Sequence, residues 1–182
     1  PDKVGYTNMD CGLTYSRTAA LTKELAAYLQ SLGLKPGDRV AIMMPNLLQY
    51  VIAMYACLRA GYIVVNINPL YTSREVNGTL RDSEAKAIII IENFAKTLQN
   101  ALPGTKCEHI ITTAVGDLFP FFKRTFVNFV VRKVKKMVPE YSLPNAVGFN
   151  EALEIGRRHG FTAHEIHNTD IAFLQYTGGT TG

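Results

Sequence analysis

The chain has 182 residues, of which 47% are hydrophobic and 19% charged, with a formal net charge of +4. That length allows one domain with a sizeable core, and the balance excludes a disordered majority. The charge is unevenly spread: Lys123, Arg124, Arg132, Lys133, Lys135 and Lys136 fall in one acid-free stretch, and the remainder carries 13 basic against 15 acidic residues, a net of −2.

In chain order, Leu13-Thr14-Tyr15 reads as a short β run, and Ser16 offers an N-cap to a helix with Leu21, Leu25, Leu29 and Leu32 along one face, ended by Gly33. Lys35-Pro36-Gly37-Asp38 is a turn. It leads into 39–44, where Val40, Ala41, Ile42, Met43 and Met44 run apolar without alternation, as in a strand covered on both faces. Residues 47–60 form a helix stopped by Gly61, and 62–66 (YIVVN) a second buried strand. Thr72 and Glu75 have the spacing of a capping box before a helix through about Arg81, and 87–91 (AIIII) is a third buried strand. A helix over 94–102, a strand over 109–113, a short helix over 150–158 and a strand over 171–175 follow. Apolar strands alternating with helices in this way predict an α/β fold with a doubly wound, mostly parallel sheet, whose ligands gather at the carboxyl ends of the strands.

The stretch 119–138, FPFFKRTFVNFVVRKVKKMV, interrupts this pattern. At ~100° per residue Phe122, Phe126, Val127, Phe129, Val130, Val131, Val134, Met137 and Val138 span an arc of roughly 200°, broken by Lys123 and Lys133, with Arg124, Asn128, Arg132, Lys135 and Lys136 opposite. One reading is a surface helix packed on the sheet. The other is a helix lying on an anionic membrane surface, and the complete lack of acids favours it. Nucleic acid is not expected as a partner, because the aromatics share the apolar face instead of alternating with the cations.

Chemistry concentrates at the end, where an apolar run delivers Thr177, Gly178, Gly179, Thr180, Thr181 and Gly182. Bare backbone N–H groups, hydroxyls and small volume suit a polyphosphate, although such a composition also describes a plain flexible loop. The sequence is not GxxxxGK[ST], and no Lys or Arg follows Arg158. His164-Glu165-Ile166-His167 lacks a third ligand and reads as exposed linker histidines, so no metal site is expected. There is no GxSxG or GxGxxG, and Cys11, Cys57 and Cys107 have no activating context. These thiols read as reduced core residues in a cytoplasmic setting. The most apolar window, 47–58, is too short to cross a bilayer.

Three stretches now fall into a known order. Leu13-Thr14-Tyr15, Leu58-Arg59-Ala60-Gly61-Tyr62 and Tyr176-Thr177-Gly178-Gly179-Thr180-Thr181-Gly182 resemble successive core signatures of the adenylate-forming enzymes, the acyl-CoA synthetase and ligase superfamily. Gly37-Asp38-Arg39-Val40, Pro45-Asn46 and Asn68-Pro69-Leu70-Tyr71 fall where that family has them, and the wording MMPNLLQY, NPLYT and QYTGGTTG is most similar to bacterial long-chain fatty-acid-CoA ligases. Gly178 stands where many members have Ser, and the Pro-Lys-Gly that continues the family loop is not in this chain. The resemblance implies an amino-terminal part of a larger enzyme, a single incomplete domain over 1–182 with 119–138 as an insertion. That enzyme would join a fatty acid to ATP with Mg²⁺, release pyrophosphate, and pass the acyl group from acyl-adenylate to coenzyme A. Residues 177–182 would hold phosphate, no catalytic residue would lie in this chain, and the chain alone would be inactive. The alternative is a non-catalytic nucleotide- or membrane-binding module on the same sheet.

Overall fold

The computed structural model describes residues 1–176. Its centre is a six-stranded parallel sheet in the order β7-β6-β5-β3-β4-β8, formed by β3 (Arg39–Met43), β4 (Ile63–Asn66), β5 (Ala87–Ile91), β6 (His109–Thr113), β7 (Ala146–Gly148) and β8 (Phe173–Gln175). A separate antiparallel hairpin, β1 (Val4–Asn8) and β2 (Cys11–Thr14), precedes it. Helices α1 (Tyr15–Ser31), α2 (Leu48–Arg59) and α6 (Phe149–His159) contribute to one core; α3 (Ser73–Ser83) and α4 (Ala95–Ala101) contribute to the other. Between β4 and β5 the direction of winding reverses, so α2 and α3 fall on opposite faces, as a constant crossover hand requires.

The unbroken apolar strands explain this layering. Val40 and Ile42 of β3 enter the first core while Ala41 and Met43 enter the second; in β5, Ile89 and Ile91 oppose Ile88 and Ile90. All five residues of β5 are buried, each isoleucine contributing roughly 1.5–3 kcal/mol. The capping box forms as expected, with Thr72 Oγ1 accepting from Glu75 N and the Glu75 carboxylate accepting from Thr72 N.

Several boundaries differ from expectation. Helix α1 is capped by Thr14, whose side chain accepts from Arg17 N at 3.2 Å, and Ser16 sits inside the first turn. The β1–β2 hairpin is absent from the sequence pattern because its turn uses Met9 and Asp10 at positive φ, 47° and 59°, with no glycine. Strand β7 is only three half-buried residues and gave no apolar run. The 119–138 stretch is one helix, α5 (Phe121–Phe129), continued by a wider turn (Val130–Val134) in which Lys135 N donates to Val130 O at 2.8 Å. Among the described residues no helix is long and apolar enough to cross a membrane.

Candidate functional site

Because all six strands run parallel, their carboxyl ends share one edge. Two otherwise apolar strands end there on an amide, Asn66 on β4 and Gln175 on β8. Tyr50 of α2 donates its hydroxyl to Asn66 Oδ1 at 3.1 Å, and Asn66 Nδ2 donates to Gln175 Oε1 at 3.0 Å. This relay fixes both amides beside a cleft of about 370 Å³ that Met44, Asn46, Asn68, Tyr71 and Tyr176 help to line. Asn68 shapes the following turn, its Oδ1 accepting from Leu70 N at 3.0 Å and its carbonyl from Tyr71 N at 3.0 Å. The signal for this constellation was legible as a polar residue closing an apolar strand, but sequence reasoning did not single out Tyr50, Asn66 or Gln175.

Tyr176, the last described residue, donates to Asp82 Oδ2 of α3 at 2.6 Å. Burial, and then the adjoining Asp82 carboxylate, push its phenol up to about 12, so it stays a neutral donor at physiological pH. This bond fixes the point from which the chain enters 177–182. The expected phosphate-binding residues Thr177, Gly178, Gly179, Thr180, Thr181 and Gly182 themselves lie outside the described residues.

Among the described residues the lining of the cleft is neutral, with amides and phenols and no carboxylate. It can hydrogen-bond a polar ligand, yet the described part offers nothing that fits a Mg²⁺ ion. A wider opening of about 600 Å³ lies on the other side of Tyr176, but the one cation lining it among the described residues, Arg39, is already spent on Ser83 O at 2.7 Å and the Glu84 carboxylate at 3.1 Å.

Towards β5 and β6 the same edge is closed by internal bonds. Asp117 accepts from Ala114 N at 2.7 Å, Thr113 Oγ1 at 3.0 Å and Asn128 Nδ2 at 3.2 Å. Glu92, buried directly after β5, receives Arg132 through Nε at 2.8 Å and Nη2 at 2.7 Å. With their acceptors satisfied, these groups serve structure. The histidine pair also behaves as expected of linker residues: His164 and His167 are exposed, the first packing its ring on Gly61. The three thiols are free and buried, and burial pushes Cys107 up to about 12.

This architecture is that of CoA ligases of known structure. The anthranilate CoA ligase AuaEII, solved with anthranoyl-AMP, matches with a TM-score of 0.74 over 100% of this chain and 30% of its own, at 22% identity. A long-chain-fatty-acid-CoA ligase, FadD1 of Archaeoglobus fulgidus, matches with a TM-score of 0.70 over 99% of this chain and 30% of its own, at 23% identity. At such identities the likeness is one of fold. The family is given by sequence: a model of AMP-binding enzymes matches residues 1–182, and the chain belongs to that family. Relatives named long-chain-fatty-acid–CoA ligase are 53% identical in Haemophilus influenzae, 51% in Salmonella typhimurium and 36% in Bacillus subtilis, each over 100% of this chain. The chain spans about a third of the length of these curated relatives, 33%, 32% and 32% respectively.

Proposed function

We propose that this chain is the amino-terminal part of a long-chain fatty-acid-CoA ligase that activates a fatty acid with ATP and transfers the acyl group to coenzyme A. The observation that carries the reading is the family match over the whole chain with its signatures in order, together with a β8 strand that ends at the carboxyl edge beside the amide-lined cleft. In this reading the fatty-acid carboxylate attacks the α-phosphate of ATP, an acyl-adenylate forms, and pyrophosphate leaves. Thr177, Thr180 and Thr181 donate hydroxyl hydrogen bonds to the departing phosphates, while Gly178, Gly179 and Gly182 let backbone N–H groups approach them. Any Mg²⁺ belongs with residues other than the described lining of the cleft. The protein works in the cytoplasm, with peripheral contact to the inner face of an anionic membrane through residues 119–138.

The test is ATP–pyrophosphate exchange by the intact protein with oleate as the added acid. Exchange that depends on oleate is expected, with kcat/KM falling on the order of 100-fold in a Thr180→Val, Thr181→Val variant. ATP binding without oleate-dependent exchange would instead establish the non-catalytic nucleotide-binding module. Residues 1–182 alone are expected to form no adenylate, and tight titration of Mg-ATP into them would overturn that part.

A further inference from the structure

Strand β8 is three residues long, and among the described residues it pairs only with β4, in a ladder that ends at the Asn66–Gln175 pair. So short a ladder specifies its own register weakly. Slipping it by one residue would move the end of the strand by ~3.3 Å and exchange its two faces. Two side-chain bonds oppose that slip, one on each face.

On one face, Leu174 and Tyr176 pack against the second core, and the Tyr176 hydroxyl donates to Asp82 of α3 at 2.6 Å. On the other, Gln175 accepts from Asn66 at 3.0 Å, and Tyr50 of α2 holds the far side of the Asn66 amide. The two faces therefore ask for different chemistry, a phenol on a carboxylate and an amide on an amide. A shifted register would satisfy neither. Asp82 is also badly placed to favour its own helix: it is exposed in the last turn of α3, where the helix dipole favours cations, and among the described residues it is in no ion pair. Its hydrogen bond among those residues is the one from Tyr176.

We propose that Asp82 and Asn66 are positioning residues for the 177–182 stretch: through Tyr176 and Gln175 they fix the register of β8, and with it the place at which the chain leaves the sheet to meet the phosphates of ATP. Neither residue contacts the nucleotide; both act through β8. The proposal rests on the reading of 177–182 as the phosphate-binding stretch and does not depend on which acid is activated. A misplacement of ~1 Å at a reacting centre can cost on the order of 100-fold in rate, so two modest bonds at the strand end matter beyond their own strength.

Titration of the intact protein with Mg-ATP and, separately, with AMP tests it, because AMP lacks the β- and γ-phosphates. Asp82→Ala should weaken Mg-ATP by about tenfold and AMP by no more than about twofold, with little change in the thermal melt. Tyr176→Phe should do the same, and the double variant should bind no more weakly than either single one, since both remove one bond. Asp82→Asn keeps an acceptor for the phenol and should return Mg-ATP affinity to within about threefold of native. Asn66→Leu, close to Asn in volume, should show the same ATP-selective loss. In oleate-dependent exchange the KM for Mg-ATP should rise in these variants while the KM for oleate holds. A variant that keeps native Mg-ATP affinity, or that loses Mg-ATP and AMP alike, overturns the proposal for that residue. A native protein that binds no Mg-ATP overturns the phosphate reading and this proposal with it. ATP-selective losses without oleate-dependent exchange would leave this proposal intact and sink the adenylation reading.

Discussion

Helices α5 and α6 use the same apolar spacing in opposite ways. In α6, Phe149, Ala152, Leu153 and Gly156, at i, i+3, i+4 and i+7, all face inward, and Arg157 outside them pairs with Glu24 at 2.9 Å. In α5, Phe122, Phe126 and Phe129 face outward, and Val127 is its one buried residue. The difference teaches that apolar periodicity sets how many faces a helix has, while buried polar partners can decide which face turns inward. Asn128 reaches the partly buried Asp117, and the half-exposed Arg132 reaches the buried Glu92 carboxylate, which would lose more by going unpaired than is gained by burying another phenylalanine. In α6 the inward polar group, Asn150, donates to Asp117 O at 2.9 Å from the position next to Phe149, so satisfying it does not turn the apolar face away.

Breaking the comparison on the α6 side should have the largest effect. A Cβ added at Gly156 would lie 1.8 Å from Glu24 O and 2.8 Å from Glu24 C in α1. Both are backbone atoms that cannot step aside, so Gly156→Ala should separate α1 from α6 at a cost of about 3 kcal/mol, read as a fall in Tm of roughly 6–12 °C. Next comes the bond that sets the rotation of α5. Arg132→Ala leaves the Glu92 carboxylate buried without its partner, and urea denaturation should show a loss of about 2–3 kcal/mol. The smallest effect sharpens the contrast from the other side: Phe126→Ser on the exposed stripe should change stability by no more than about 0.5 kcal/mol, whereas a phenylalanine buried as Phe149 is would cost several times that.

Much of the frame was legible in the residues. Strands β3 and β5 carry unbroken apolar runs because both of their faces meet helices, and α3 declares its start through Thr72 and Glu75. The candidate site was legible only in part. Its glycine and threonine ending raises the expectation of a ligand loop outside the described residues, whereas Tyr50, Asn66 and Gln175 stand 16 and 109 residues apart along the chain. Only the parallel pairing of β4 with β8 joins Asn66 to Gln175. Helix α1 shows the same limit at short range: Thr14 and Ser16 are both fit to cap, and the hairpin that ends at Thr14 selects it.

The sequence by itself determined the layered α/β frame, the position of five of its six parallel strands and the membership in the AMP-binding family, because continuous apolar runs and short ordered motifs are local properties of the chain. Tertiary structure decided the rest. It assembled the amide relay from three separated residues, committed Arg132 to Glu92, and turned the phenylalanines of α5 to the surface. Each of those outcomes depends on which buried group lies across from a side chain, and that is fixed only when distant segments pack.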